Sequence, residues 1–355
     1  MRTRRITCRV AVLTAAAMSA LTLSIVSSSD ASTFATPPHS ASLFSVSRVL
    51  KLDTDGSNPS IVAAGNGSMF MVGTFDQLNA SIDDLIRVDL GTWRIADAAR
   101  YPNETSVAFG DGALWWATGQ NAFDIPAPDG GRALLKIDPT NLRRETTFVL
   151  TDRTLQVTVV GTSLWVATST TLFKLDPETG RVLTKIPLGL SPIELSPSGQ
   201  GRYLEVLEAS RTKEFVTIYN AESGQSIVRR PLPGASGGPL ATTSRGVWVA
   251  TDELHNKTAI ARYFQGDQLV PSAARGGHPF DTSLYSGIGV IWLVDSGGQG
   301  STECLDQSTG HVRARGGPLG VGYGSVATHA GRTYVLFDSD LTNYFLRVTP
   351  SKSCS

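Results

Sequence analysis

Few side chains in this sequence are suited to chemistry. His255 follows Asp252 and Glu253 in "TDELHNKT" (251–258), and His278 stands in "GGHPFD" just before Asp281. A histidine beside a carboxylate is the minimum apparatus for general acid–base catalysis near neutral pH. A second group is acidic only: Asp124, Asp295 and Asp338, with Asp76, Asp83, Asp84, Asp129 and Asp340 around them. Oxygen ligands of this kind suit Ca²⁺ or Mg²⁺, or a cationic ligand. The competing reading is that Asp favours exposed turns whatever the function. No EF-hand spacing, G-x-S-x-G elbow, P-loop, HExxH or paired-cysteine zinc pattern occurs. His311 and His329 receive no role.

These residues act together only if the fold gathers them, and the elements that position them repeat. An apolar run with one aromatic anchor recurs as "SMFMVGT" (Phe70), "ALWWATG" (Trp115), "SLWVATS" (Trp165), "RYLEVLE" (Tyr203), "GVWVATD" (Trp248), "VIWLVDS" (Trp292) and "RTYVLFD" (Tyr334). The period is roughly 44 residues, in the range of propeller repeats. A second short run and a glycine turn precede each anchor, as in "SVAFGDG" and "VTVVGTS". A third run follows and ends in a polar turn that begins with Asp89, Asp138, Asp176, Asn220 or Asp306. Such side chains bond their own backbone in tight turns. A fourth run, for example "RVLTKIPL" (181–188), completes the unit.

Four short strands per unit predict an all-β chain, a seven-bladed β-propeller of four-stranded antiparallel blades. The last unit ends at "FLRVTPSKSCS" without a fourth strand, while "SRVLKLD" (47–53) precedes the first unit. The N-terminal strand is therefore expected to complete the last blade and close the ring, removing an exposed edge. The anchors are read as packing between blades, and Trp116 as a second contact on the opposite face. On such a ring the strand two–three connections and the blade-to-blade connections open on one face. The former range from "STT" (169–171) to "TGQNAFDIPAPDGGRA" (118–133), and His255 and His278 fall in one connection of each kind.

The spelling "LWVATSTTLFKLDPETGRVL", with "LWWATG…LLKIDPTN", resembles secreted and periplasmic propellers with YVTN-type or virginiamycin B lyase-type repeats. "LSPSGQGRYLEVLE" (195–208) is similar to the Ser-Pro-Asp-Gly…Tyr-Val unit of the YVTN group. The resemblance covers nearly the whole chain after its first residues and implies the fold. The lyase-type repeat continues its Trp-Phe-Thr with Glu, whereas Thr118, Thr168 and Thr251 are followed here by Gly, Ser and Asp. No His or Glu of that family's catalytic set finds a matching position. The tryptophan-docking consensus of quinoprotein dehydrogenases is absent, so no organic cofactor is expected.

The start of the chain reads differently. "MRTRRITCR" is basic and "VAVLTAAAMSALTLSIV" (10–26) apolar, with cleavage sites after Ala31 and Ala35. This predicts a secretory signal over 1–35, a linker over 36–44 and one propeller domain over 45–355; an uncleaved anchor is the alternative. Once Cys8 leaves, Cys304 and Cys354 form an even pair, read as a disulfide in an exported chain, with two free thiols or an intermolecular bond the alternative. Lys+Arg and Asp+Glu balance at 31 each, so no basic stripe for nucleic acid is present. The sequence thus points to an exported, monomeric propeller that binds a small molecule, a glycan or a protein through its loop-rich face without catalysis. The alternative is a propeller lyase or hydrolase acting through His255, His278, Asp252 and Glu253.

Overall fold

A computed structural model describes residues 43–52, 59–73, 82–102, 104–119, 131–198, 201–210, 213–232, 240–243, 246–253, 257–265, 268–270, 282–295, 301–316, 325–339 and 342–354. Among these residues every sheet is four-stranded and antiparallel, and seven such sheets are formed. Six are made of consecutive strands; blade 3, for example, runs Thr154–Val160, Ser163–Thr168, Thr171–Leu175 and Val182–Pro187. The remaining sheet joins Ser325–His329, Arg332–Ser339 and Thr342–Pro350 to the N-terminal strand Phe44–Leu52. The seven-bladed expectation is corrected: the structure has six contiguous blades, not seven, and a composite sheet made from both ends of the chain completes the ring. Blade 5 is the least regular, because its outer strand spans only Gln268–Val270.

Burial follows position in the blade. The second strands Ser68–Gly73 and Ala113–Thr118 are buried at every residue. A sheet stacked between two others has no solvent face, so its middle strands read as continuous apolar runs rather than alternating ones. The outer strand Val182–Pro187 is largely exposed. Hairpins joining inner to second strands turn through Asn66-Gly67 and Asp111-Gly112, with φ of 49° and 70° and of 52° and 74°. Two successive positive values define the type I′ turn, whose twist matches that of the strands.

Phe70, Trp115, Trp165, Trp248, Trp292 and Tyr334 are essentially fully buried. Trp115 packs with Val157 and Leu164 of blade 3, and Trp116 packs the other way, its ring 5.2 Å from Tyr101 of blade 1. Tyr203 is a correction to the anchor set, being 37% exposed. Trp165 lies opposite Lys174, the residue two before the turn aspartate Asp176. The equivalent place in blade 4, opposite Ile218, is held by Glu205, which is 1% exposed. The aromatic therefore sits one pleat repeat too early, and a carboxylate takes the wedge position facing blade 5.

Side chains on the inner strands hook neighbouring blades together. Ile61 N–H donates to Ser325 Oγ (3.1 Å), Val157 N–H to Ser106 Oγ (3.2 Å), and Thr242 Oγ to the Pro197 carbonyl (2.7 Å). Ser286 Oγ donates to the Thr242 carbonyl. Close approach also needs glycine: a Cβ on Gly65 would lie 2.0 Å from Phe109 Cε1 of blade 2, and one on Gly110 would lie 2.4 Å from Val159 of blade 3.

The third-to-fourth-strand turns share one construction. The side chains of Asp89, Asp138, Asp176, Asn220 and Asp306 each accept backbone N–H bonds from residues two or three further on. The fifth residue donates its N–H to the carbonyl of the first and takes positive φ. It is Gly180, Gly224 or Gly310 in three blades, and Trp93 (φ 60°) or Leu142 (φ 53°) in two. Those two side chains repay the backbone strain by packing: Trp93 stacks 4.9 Å from Phe345, and Leu142 is buried against blade 1. Hydrogen bonds hold the carboxyls below their ordinary value near 3.8, from the Thr92 backbone and hydroxyl for Asp89 and from the Thr140 hydroxyl and backbone for Asp138. For Asp306 the Ser308 hydroxyl leads and Arg313 adds an ion pair at 2.5 Å.

Two outcomes are expected. Gly65→Ala should destabilise the ring by about 1–3 kcal/mol in urea unfolding, and adding Phe109→Leu should recover part of that loss. Depressed carboxyl values stabilise the fold fully above the ordinary carboxyl range, and that contribution is lost as pH falls through the folded values. The thermal midpoint should therefore drop below about pH 4, and Asp306→Asn should make the drop shallower; an unchanged slope would count against the turn aspartates as its source.

Candidate functional site

His255, His278, Asp124 and Asp281 lie outside the described residues. Asp252 and Glu253 end the second strand of blade 5, their backbones opposite Thr258 and Lys257. Asp295 ends the second strand of blade 6 opposite Ser301, and Asp338 lies opposite Asn343 in the composite sheet. Asp84 is a strand residue, and its carboxylate accepts from Arg100 Nε at 3.0 Å. Among the described residues no group of three or more His, Cys, Asp or Glu is placed to hold a metal ion. Cys304 and Cys354 are joined, with Cα atoms 5.9 Å apart.

That disulfide borders a cavity which no sequence motif marks. Cys354 belongs to a 3₁₀ turn, Lys352–Cys354, that follows the last strand. Ser351 N–H donates to the Leu43 carbonyl (2.8 Å), so the turn also holds the start of the N-terminal strand. Leu43 and Phe44 then pack into one cluster with Trp292, Cys304 and Cys354, the Phe44 ring 4.7 Å from that of Trp292. Beside this cluster, between blade 6 and the composite sheet, lies a cavity of about 460 Å³.

Its walls come from four strands. Val290 and Trp292 share one face of the second strand of blade 6, and Ile288 at the hairpin tip forms a lip that is 57% exposed. Facing them are Arg332 and Thr333 at the start of one strand, Arg347, Val348, Thr349 and Pro350 at the end of the next, and Ser47 of the N-terminal strand. Arg347 Nε donates to Ser47 Oγ (3.1 Å), and that hydroxyl donates back to the Arg347 carbonyl (2.9 Å). Because the cavity sits at the inner-hairpin end of these strands, it opens on the face opposite the strand two–three connections.

The polar character of the cavity is one-sided. Among the described residues no Asp, Glu or His lines it. Neither Arg332 nor Arg347 is ion-paired among the described residues, whereas Arg313 and Arg315 of blade 6 are neutralised by Asp306 and Glu303. Trp292 is fully buried and its Nε1–H, like that of Trp165, has no hydrogen-bond partner among the described residues. The matching Trp115 in blade 2 donates to the Gly110 carbonyl at 3.2 Å. Sequence reasoning missed this site because its two arginines belong to the strand pattern. Their one visible signal is a basic side chain beside an anchor strand with no acid opposite.

No protein-family model matches the chain, and no curated protein matches it. Solved structures match over most of its length. The β-propeller domain of Cps50 (Swd1) from Myceliophthora thermophila aligns with a TM-score of 0.61 at 11% identity, covering 86% of this chain and 100% of that one. Hydrazine synthase from Kuenenia stuttgartiensis gives 0.59 at 14%, covering 85% and 97%. BamB from Moraxella catarrhalis gives 0.52 at 11%, covering 86% and 99%. Identities this low establish the class alone: a β-propeller built of repeated four-stranded blades. They leave the YVTN-type and lyase-type resemblance of the repeats unconfirmed.

The disulfide closes a chain separation of 50 residues, which by loop-closure entropy is worth about 4 kcal/mol. Replacing both cysteines by alanine should therefore lower unfolding stability by about 2–4 kcal/mol, and reduction of the native protein should do the same. Equal stability with and without reductant would mean that the bond does not form.

Proposed function

We propose that this protein is an exported binding scaffold without catalysis of its own, presenting unequal loops on one face of a rigid ring. The observation that carries the reading is the way those loops are rooted. In blade 3 the second and third strands are joined by Ser169 and Thr170 alone, and Thr168 Oγ donates to the Thr171 carbonyl at 3.1 Å. In blade 2 residues 119–132 intervene, yet Thr118 Oγ donates to the Ala133 carbonyl at 3.0 Å and accepts the Ala133 N–H at 3.1 Å. Thr154 Oγ of blade 3 donates to the Thr118 carbonyl as well. In blades 2 and 3 the loop root is thus closed by the same threonine although the two connections differ in length. Loops on such a scaffold vary at little cost to the fold and are the usual carriers of recognition.

Export is supported by the basic and apolar first residues and by the cysteine pair. Among the described residues no helix is long and apolar enough to cross a membrane. A small molecule, a glycan or a protein is the expected ligand, with a divalent cation the one inorganic partner the acidic loops would accept.

The reading is tested by grafting. Replacing residues 119–132 with the Ser-Thr connection of blade 3 should leave the unfolding midpoint within a few degrees of the parent. It should also abolish binding of whatever ligand a thermal-shift screen of metal ions, sugars and secreted metabolites identifies. Retained binding in that variant, and in matching variants of the other long loops, would refute the loop face as the binding surface. Turnover of a ligand that depends on His255 or His278 would instead establish the lyase or hydrolase alternative.

A further inference from the structure

We propose that the cavity at the ring seam is a second binding site, for a small organic anion with an acidic headgroup on an apolar body. This is independent of the loop face, since the cavity opens at the other end of the blades. Three observations combine.

The first is charge. Arg332 and Arg347 both line the cavity and neither has a carboxylate partner among the described residues, although other arginines of the neighbouring blade are paired. A guanidinium is charged at any ordinary pH and presents a planar fork of donors that fits a carboxylate, sulfate or phosphate. Two such groups without a carboxylate among the described residues leave a local positive potential that favours an incoming anion. Arg347 is also oriented before any ligand arrives, because the Ser47 hydroxyl takes its Nε–H and the outer nitrogens remain available.

The second is the donor inventory. Among the described residues no Asp, Glu or His lines the cavity, while Arg332, Arg347, Ser47, Thr333 and Thr349 bring guanidinium and hydroxyl groups to it. Its polar side chains are therefore donors or hydroxyls, which an acceptor-rich ligand would match.

The third is shape. About 460 Å³ lies within the range of small-molecule sites. One wall is apolar, from Val290, Trp292 and the exposed Ile288. Inorganic phosphate would leave that wall wetted; an anion with an alkyl or aromatic body covers it.

The test uses octyl phosphate and octanoate as probes, with octyl glucoside and inorganic phosphate as controls, read by titration calorimetry and tryptophan fluorescence. Saturable one-to-one binding of an alkyl anion is expected, at least ten-fold tighter than either control. Arg332→Ala should weaken it about ten-fold or more, with an unchanged unfolding midpoint because Arg332 is exposed and makes no described hydrogen bond or ion pair. Arg347→Ala should weaken it similarly, Arg347→Lys less so, and Trp292→Phe should remove the fluorescence change. Absence of saturable binding by both alkyl anions at millimolar concentration overturns the proposal. So does equal binding of octyl glucoside, or binding that Arg332→Ala and Arg347→Ala leave unchanged. None of these outcomes bears on the loop face, which is tested by the loop graft.

Discussion

The molecule depends on one pairing: the strand Phe44–Leu52 lying antiparallel against Thr342–Pro350. Until it forms, the last sheet has three strands and the outer edge of Thr342–Pro350 is unpaired. Once it forms, the ends of the chain are held by each other, and the inner strands Ser60–Gly65 and Ser325–His329 come together through Ile61 and Ser325. The cluster of Leu43, Phe44, Trp292, Cys304 and Cys354 covers the joint, and the disulfide fixes it covalently. Closure also creates the cavity, whose walls include Ser47 and Arg347 from opposite ends of the sequence.

Elsewhere the ring is held by a wedge rule. Second strands send a large side chain toward the next blade, and in blades 1 and 2 Gly65 and Gly110 before the hairpin let that blade approach. Blade 4 departs from the rule with buried Glu205, and buried Glu208 accepts from Thr217 and pairs with Arg229 on the opposite face of the same strand. Carboxylates in this setting stay charged only with compensating donors or charges. Blade 4 is thus polar where its neighbours are aromatic.

The turns and the loop roots divide the labour between the two ends of each blade. At one end, Asp or Asn side chains and a left-handed fifth residue fix the passage from third to outer strand almost identically in blades 1, 2, 3, 4 and 6. At the other, a threonine closes connections of very different length in blades 2 and 3, and other residues such as Gly73 of blade 1 hold the same place. One end is therefore constant and the other is free to vary. The seam cavity interrupts the constant end where blade 6 meets the composite sheet.

By itself the sequence determined the local units. Alternation, Asn-Gly and Asp-Gly turns, the five-residue turns that open on Asp or Asn and the recurring apolar strands are short-range features, each specified by residues a few positions apart. The completion of the last sheet by the N-terminal strand was legible for the same reason, since "SRVLKLD" is spelled like an outer strand. Tyr203 shows the limit: spelling placed it with the anchors, but register across the strands gave that place to Glu205. Only the tertiary structure decided which arginines lack partners and where a cavity forms. Arg332, Arg347, Ser47 and Trp292 are ordinary strand residues in sequence. Their shared property arises when closure brings together segments nearly three hundred residues apart, which no local pattern records.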